Sequence, residues 1–244
     1  MTQQEQQLGE WLGEARSIVF FGGAGVSTES GIPDFRGAHG LYTGAQGRSY
    51  EEMLSIDYFE RHRDEFWNFY KHVMLYPNAK PNAAHFALAR LEKRGALKAV
   101  LTQNIDGLHQ AAGSQNVLEL HGTALRNSCL RCGHVHSLAH ILASEGSPVC
   151  EKCGGPLRPD IVFYGESLDD AVMTAAMRAV SRCDLLLVGG TSLTVYPAAG
   201  LLNYCQPGVR VALLNRDATP FDDRADLVIH DSIAQVLDAA VGES

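Results

Sequence analysis

The sequence predicts an α/β fold in which a doubly wound parallel sheet carries a smaller inserted domain. Short apolar runs alternate with segments of helical periodicity along most of the 244 residues, which is typical of a parallel sheet covered by helices. The run at 185–188 is continuously apolar, as expected for a strand that is buried on both faces. One segment, 126–158, breaks this alternation, because it is rich in Cys, His and Gly and has little periodicity.

The elements follow one another as such a sheet requires. A first amphipathic helix is predicted at about 5–16, because Leu8, Trp11, Leu12 and Ala15 share one face. Helical spacing also runs through 50–75, a region rich in aromatic and charged residues that ends before Pro77 and Pro81. The predicted strands are 18–21, 97–102, 117–120, 185–188, 209–214 and 227–229. The remaining predicted helices are 83–93, 167–179, 197–204 and 232–240.

Composition and charge are those of an ordinary soluble globular protein. Hydrophobic residues make up 45% and charged residues 20% of the chain, and its formal net charge is −8. This charge argues against direct nucleic-acid binding and is compatible with a basic partner such as a lysine-containing peptide. No apolar stretch reaches membrane-spanning length, and the first residues do not resemble a secretory signal. We therefore expect no membrane partner and a cytoplasmic location.

A glycine-rich segment directly follows the first predicted strand. Residues 23–37 read GAGVSTESGIPDFRG, in which small residues let the backbone approach a pyrophosphate while helix N–H groups face it. The turn is a weak signal on its own, because Thr28 stands where a dinucleotide fingerprint has its third glycine. An ordinary strand-to-helix turn would explain it equally well. The PDFR run that follows adds a rigid turn, a carboxylate, an aromatic ring and a guanidinium, which favours a site for a charged, ring-bearing cofactor.

Four of the six cysteines form two Cys-x-x-Cys pairs. Cys129 and Cys132 are separated by seventeen residues from Cys150 and Cys153, and each pair is followed by glycine. Two-residue spacing lets both thiolates of a pair reach one ion, so the four predict a closed tetrahedral Zn²⁺ site with a structural role. Disulfides or free buried thiols are the alternative, which a reducing compartment disfavours. We expect the neighbouring histidines to be surface residues: His134, His136 and His140.

Polar residues follow four of the predicted strands where each strand ends. Gln103, Asn104 and Asp106 follow the second strand, although helix capping alone could explain Asp106. His121 follows the third strand and could act as a general base near neutral pH, although a lone histidine is more often structural. Two further strand ends carry small, hydroxyl or amide side chains: 189–192 and 215–217. Because ligands bind at the carboxyl ends of strands in open α/β sheets, these segments together predict a dinucleotide cleft.

Taken together, these segments closely resemble the sirtuins, the NAD-dependent protein-lysine deacylases, and in particular their undifferentiated bacterial class. The matching stretches are GAGVSTESGIPDFRG, TQNIDGLH, LELHG, the paired CxxC motifs, RPDIVFYGE, GGTSLTVYPAAG and LLNRDATP, which span nearly the whole chain in the family's order. The resemblance implies a Rossmann-like NAD-binding domain formed by 1–36, 82–125 and 159–244. It also implies a small domain formed by a helical insert, 37–81, and the four-cysteine zinc module, 126–158.

The resemblance implies roles for individual residues. Those implied to contact NAD are Ala24, Thr28, Phe35, Arg36, Gln103, Ile105, Asp106, His121, Thr191, Ser192, Asn215 and Ile233. Among them, Phe35, Ile105 and Asp106 would form the nicotinamide pocket. The catalytic residues would be His121, Asn104 and Asp106, of which Asn104 would position the reactive ribose and a water. The backbone of the substrate peptide would pair with Val162 and Phe163.

The implied reaction converts NAD and an acyl-lysine into nicotinamide, deacylated lysine and 2′-O-acyl-ADP-ribose. His121 would act as the general base by taking up a proton through the ribose hydroxyls. Relatives that prefer succinyl or malonyl groups carry Tyr-x-x-Arg beside the acyl pocket, whereas Tyr70 is followed here by Val73. Tyr58 and Arg61 have the required spacing but come too early. We therefore expect acetyl and other neutral acyl groups to be favoured.

Three alternatives stay open at this point. A nicotinamide-dependent dehydrogenase is disfavoured, because no acidic residue ends a second strand soon after the glycine-rich turn. A zinc-ribbon binding module without catalysis is disfavoured by the acidic net charge and the polar strand ends. Mono-ADP-ribosyl transfer to protein is a side activity that the same cleft could support.

Overall fold

A computed structural model describes residues 2–34 and 48–242. In chain order its strands are β1 (Ile18–Gly22), β2 (Leu97–Thr102), β3 (Val117–Glu119), β4 (Gly122–Cys129), β5 (Val135–Ser137), β6 (Leu157–Ile161), β7 (Leu185–Gly189), β8 (Arg210–Leu214) and β9 (Leu227–Ile229). Its α-helices are α1 (Gln3–Glu14), α2 (Tyr50–Met53), α3 (Ile56–Arg61), α4 (Arg63–Phe69), α5 (Ala83–Lys93), α6 (Leu108–Ala111), α7 (Leu138–Ala143), α8 (Asp170–Val180) and α9 (Ile233–Val241).

Six strands form one parallel sheet in the order β3-β2-β1-β7-β8-β9. The chain runs outward from β1 to β3, then returns to β7 beside β1 and continues outward to β9. This order is that of the doubly wound dinucleotide-binding sheet, in which the direction of progression reverses between two central strands. The predicted fold class is therefore confirmed, and the reversal point lies between β1 and β7.

Each central strand is apolar because both of its faces are covered. Successive side chains of a strand point to opposite faces of the sheet, so Phe20 and Phe21 of β1 belong to two different cores. Phe20 packs in the core formed with α1, α5 and α9, whereas Phe21 packs in the core formed with α8 and the 3₁₀ helix Ala198–Tyr204. Burial on both faces explains why these strands were readable as continuous apolar runs.

Asn82, the N-cap of α5, connects that helix to the glycine-rich turn. Its side chain accepts a hydrogen bond from the Ala84 N–H and donates to the Val26 carbonyl at 2.8 Å and to Ser30 Oγ at 3.0 Å. One side chain thus satisfies an otherwise unpaired N–H at the helix start and holds the turn that follows β1.

A second, antiparallel sheet has the order β5-β4-β6, and the sequence did not predict its strands. They lie in or beside the segment of low periodicity, and β5 is only three residues long. Pro159 within β6 also argues against a strand, although proline is tolerated there because β6 is an edge strand.

This smaller sheet shares a third core with the helices of 50–75. That region, predicted as helical, contains α2, α3 and α4 followed by a π-helical turn, Tyr70–Met74. The core is largely aromatic, and the rings of Phe59, Phe66 and Phe163 have centroids 5.0–5.4 Å apart.

The boundaries proposed above for the two domains stay a prediction. Within residues 2–34 and 48–242, no helix combines the length and apolar character needed to cross a membrane.

Candidate functional site

A cavity of about 530 Å³ lies at the carboxyl ends of the central strands. This volume is within the range of pockets that bind small molecules and cofactors. Residues that follow five strands line it: 23–25 after β1, 103–106 after β2, 190–192 after β7, Asn215 after β8 and 161–166 at the end of β6. The polar segments predicted to converge therefore border one cavity.

The floor of the cavity is a close contact between two glycine-rich turns. The Gly25 N–H donates to the Gly190 carbonyl at 2.8 Å, and the Gly23 N–H donates to the Gly189 carbonyl at 3.3 Å. A Cβ on Gly25 would lie 2.8 Å from Gly190 Cα, and Gly190 has a φ of +60°, which disfavours side chains. Glycine is thus required on both sides of the strand reversal, because a Cβ on either turn would meet the backbone of the other, and we call this close contact the glycine cradle.

Gln103 links the ends of β2 and β7. Its Nε2 donates to Thr191 Oγ1 at 3.0 Å, and the same oxygen accepts from the Leu193 N–H at 3.2 Å. Thr191 is buried, so its hydroxyl is oriented by these two contacts rather than by solvent. The two strand ends are held at a fixed separation across the glycine cradle.

A hydrogen-bonded network joins the first turn to the segment after β2. Ser27 Oγ donates to Asp106 Oδ2 at 2.7 Å and accepts from Asn104 Nδ2 at 3.1 Å. The other carboxylate oxygen of Asp106 accepts from the Leu108 N–H at 2.9 Å, at the start of α6. Asp106 therefore accepts from the first N–H of α6, whose N-cap is Gly107, and also lines the cavity. Ser27 is only 1% exposed, and sequence reasoning missed it although it stands within the glycine-rich motif.

His121 lines the cavity shortly after β3. Its Nδ1 lies 3.0 Å from the Gln103 carbonyl oxygen. A carbonyl can only accept, so Nδ1 carries the proton and the lone pair is on Nε2. Burial lowers the pKa of His121, an effect partly opposed by this hydrogen bond. The ring is therefore neutral near pH 7, with Nε2 as a base.

Three of the implied residues make contacts outside the cavity, and the roles implied for them stay a prediction. Thr28 donates to the Gly25 carbonyl at 3.0 Å within its own turn and is not among the residues that line the cavity. Ile233 is 5% exposed and packs in the core beside Phe20. Phe163 borders the cavity, but its ring is 2% exposed in the aromatic core. Two further residues implied to contact NAD, Phe35 and Arg36, lie outside the described residues.

One end of the cavity is apolar. It is lined there by five aliphatic side chains: Leu54, Val73, Met74, Leu138 and Ile161. None of the described lining residues is Lys or Arg. Tyr70, which precedes Val73 by three positions, points away into the third core and is fully buried. An anionic group entering this end would meet no described cation.

The four paired cysteines meet at one point. Cys129 Sγ lies 3.5 Å from Cys153 Sγ, Cys132 Sγ lies 3.7 Å from Cys150 Sγ, and all four sulfur atoms are within 4.8 Å of one another. Zn–S bonds of about 2.3 Å in a tetrahedron require sulfur atoms about 3.8 Å apart. The cluster therefore fits Zn²⁺ with no further position for water.

The backbone supports the same interpretation. The Arg131 N–H donates to Cys129 Sγ at 3.4 Å, and a Cβ on Gly155 would lie 3.1 Å from that sulfur. Of the neighbouring histidines, His134 is exposed as expected, but His136 is 4% exposed, so the prediction that it is a surface residue was wrong. Its ring packs between those of His134 and His140, whose centroids lie 4.9 Å and 4.4 Å from it.

Comparisons with known proteins agree with this geometry. A family model described as the Sir2 family matches residues 23–197. A protein of Clostridium perfringens (strain 13 / Type A), named NAD-dependent protein deacetylase, is 54% identical over 239 residues, which are 97% of this chain and 98% of that protein.

Solved structures are similar over the same extent. A Sir2 variant with deacetylated p53 peptide and 3′-O-acetyl ADP ribose is 40% identical, with a TM-score of 0.88 over 96% of this chain and 95% of that one. A Sir2 homolog–NAD complex is 38% identical, with a TM-score of 0.88 over 96% of this chain and 91% of that one.

The strand order, the glycine cradle at its reversal point and the polar strand ends around it define an α/β protein of the dinucleotide-binding class. Within that class, the chain belongs to the Sir2 family.

Proposed function

We propose that this protein is an NAD-dependent protein-lysine deacetylase. The observation that carries the proposal is His121, a neutral imidazole whose Nε2 is available in a cavity bordered by the glycine cradle. The similar proteins named NAD-dependent protein deacetylase support it. The reaction would consume NAD and an acetyl-lysine and yield nicotinamide, deacylated lysine and 2′-O-acetyl-ADP-ribose.

The glycine cradle and the strand ends would hold NAD. The backbone of 23–25 and 190–192 lines the cavity and would lie against the pyrophosphate, and the absence of a side chain at Gly25 and Gly190 lets the two turns meet there. Ala24, Ser192 and Asn215 border the same cavity, and Ile105 and Asp106 would border the nicotinamide. When bound, NAD supplies a positively charged nicotinamide, which is a good leaving group.

The residues of this chain would then orient the reacting groups, exclude bulk water and accept a proton. Asn104 is held by Ser27, so its amide can position a ribose hydroxyl or a water at a fixed place. His121 Nε2 would accept the proton of a ribose hydroxyl, and Gln103 keeps the ring in the tautomer that allows this. The apolar wall would keep bulk water away from the bond that breaks.

The substrate peptide would lie along 162–163. The Val162 N–H already donates to the His121 carbonyl at 2.9 Å, and the Phe163 N–H donates to Glu166 Oε2 at 3.0 Å. A peptide would therefore pair through the Val162 carbonyl rather than through either N–H. The first of these bonds also ties the peptide-binding edge to the catalytic histidine.

The acyl group would occupy the apolar end of the cavity. Val73 stands where a guanidinium would be needed for a dicarboxylic acyl group, and no Lys or Arg is among the described lining residues. Neutral acyl groups are therefore the proposed substrates. The protein would act in the cytoplasm, since a reducing compartment keeps the four zinc-binding thiols from forming disulfides.

Mass spectrometry of the products from NAD and an acetyl-lysine peptide tests the proposal. Deacetylated peptide, nicotinamide and acetyl-ADP-ribose should form in equal amounts. Reduced cofactor would instead indicate a dehydrogenase, and peptide carrying ADP-ribose would indicate transfer to protein. Metal-replete protein that leaves both NAD and the peptide unchanged would refute the proposal.

A further inference from the structure

A second cluster of metal-ligating side chains lies beside the four cysteines, outside the cavity described above. It consists of His136 on β5, His140 on α7 and Glu151, which stands between Cys150 and Cys153. One ligand atom from each of the three lies within 4.8 Å of the others. Three separate elements thus bring two imidazoles and a carboxylate together.

The tautomer of His140 is set by its surroundings. Its Nε2 lies 3.1 Å from the Val149 carbonyl oxygen, which can only accept, so Nε2 carries a proton. Its Nδ1 lies 3.1 Å from a Glu151 carboxylate oxygen, which is also an acceptor. Two facing acceptors repel each other unless a proton or a cation lies between them. A histidine whose distal N–H donates to a backbone carbonyl is the usual arrangement of a metal ligand.

His136 favours a cation over a simple ion pair. Its ring centroid lies 4.4 Å from that of His140, and its side chain is buried. Its Nε2 has no hydrogen-bond partner within residues 2–34 and 48–242. A buried imidazole nitrogen without a partner is costly, and a proton shared by His140 and Glu151 would not satisfy it. A metal ion bound through this nitrogen, together with His140 and Glu151, would give it a partner.

We propose that His136, His140 and Glu151 form a second metal site, which binds a divalent first-row ion such as Zn²⁺. Two imidazoles and one carboxylate are a donor set that suits zinc and leave a fourth position for water. The ion would connect β5 and α7 to the knuckle that carries Cys150 and Cys153. The small sheet would then be held by two ions, of which the four-cysteine ion is the tighter, because it has four thiolate ligands.

Native mass spectrometry of the full chain in the presence of Zn²⁺ tests this site. The unaltered protein should carry two ions, and Glu151→Gln and His140→Gln should each carry one. Both changes are close in size, and the amide introduced by His140→Gln can still donate to the Val149 carbonyl. Zinc affinity at the second site should fall at least about tenfold in either variant.

Two control variants isolate the site from its surroundings. Lys152→Gln alters a charge in the same knuckle, and His134→Ala removes the histidine adjacent to the cluster, so both should keep two ions. If the unaltered protein carries a single ion at saturating Zn²⁺, the proposal is wrong. It is equally wrong if Glu151→Gln lowers the melting temperature but leaves the zinc content unchanged, which is the result expected for an ion pair alone.

Discussion

Gln103 shows how single residues organise the cleft, because its backbone and its side chain serve different partners. Its carbonyl accepts from His121 Nδ1, and its side-chain amide donates to Thr191. Its own N–H donates to the Gly22 carbonyl at 2.9 Å, which holds it against β1. The orientation of the proposed base is thus set by a residue that is itself fixed at three points.

His121→Ala should abolish deacetylation while leaving part of the nicotinamide exchange. The base acts after nicotinamide has left, so its removal should slow the later proton transfer by at least about 100-fold. Peptide deacetylation and exchange of labelled nicotinamide into NAD measure the two steps. The exposed His72→Ala is the control and should change neither rate. Equal loss of both activities would contradict the assigned role.

Ser27→Ala should lower kcat for deacetylation by about 10- to 100-fold with a smaller effect on KM for the peptide. The change leaves Asp106 Oδ2 and Asn104 Nδ2 without their partner, which costs about 1–3 kcal/mol of positioning. Steady-state kinetics with each substrate varied separates kcat from KM. Ser181→Ala, outside this network and outside the cavity lining, should retain full kcat. A rise in peptide KM alone would argue against positioning of the reactive groups.

At the scale of elements, two strands connect the cysteine cluster to the cleft. β4 begins directly after His121 and ends at Cys129, and β6 returns from beside the cluster to Ile161 and Val162. The ladder between them includes Gly122 opposite Ile161 and Cys129 opposite Leu157. A metal ion bound at one end of this ladder should therefore stabilise the cavity wall at the other end.

Removal of zinc should consequently unfold the small sheet and abolish activity, although none of the four clustered cysteines lines the cavity. Cys132→Ser, at an exposed position of the cluster, should lose the four-cysteine ion and lower the melting temperature. Measurement of the zinc content tests the loss of the ion, and thermal unfolding tests the change in melting temperature. Cys205→Ser, a thiol outside the cluster, is the control. Full activity of Cys132→Ser without that ion would show that the cleft does not depend on the module.

The turn Tyr70–Met74 should determine the acyl group that is accepted. The protein should deacetylate an acetyl-lysine peptide with a kcat/KM at least about tenfold above that for the succinyl-lysine peptide, because no described cation faces the apolar end of the cavity. Val73→Arg should narrow this ratio, whereas Val73→Leu should not. Comparable efficiencies of the unaltered protein on both peptides would overturn the proposed preference.

At the scale of the whole molecule, a buried histidine pair couples stability to pH. His85 on α5 and His109 on α6 have ring centroids 4.8 Å apart, and His109 is 1% exposed. Burial lowers the pKa of His85 to about 4, although Asp106 opposes this, and burial together with His85 lowers the pKa of His109 to about 3. Both rings are neutral in the folded protein, whereas the unfolded chain protonates them near pH 6.5.

The free energy of unfolding should therefore be highest above pH 6.5 and should fall as the pH is lowered from 6.5 towards 4. In this range the unfolded state binds more protons, and the loss is on the order of 3 kcal/mol per histidine. Denaturant unfolding at a series of pH values measures it. His109→Leu should flatten the slope, and the exposed His72→Leu should not. An unchanged slope in His109→Leu would exclude this histidine as a source of the pH dependence.

The sequence predicts those features of the fold that leave a local pattern of residues, and it does not predict those that depend on contacts between distant segments. The six parallel strands were predictable almost to the residue, because burial on both faces of the central strands leaves an apolar run that is visible locally, as in β1 and β7. The strands β4, β5 and β6 were not predictable, since they are short or half-exposed and one contains Pro159. The predicted helix at 197–204 proved to be a 3₁₀ helix, Ala198–Tyr204.

The sequence by itself determined the sheet class, the glycine-rich turn after β1 and the metal-binding cysteines, because each depends on residue types at short spacings. Only the tertiary structure decided which nitrogen of His121 is the base, that Ser27 joins Asn104 to Asp106, and that Ile233 lies in the core. It likewise decided that His136 is buried beside His140 and Glu151. These features arise from contacts between residues far apart in the chain, and no local pattern encodes which distant group a side chain will face.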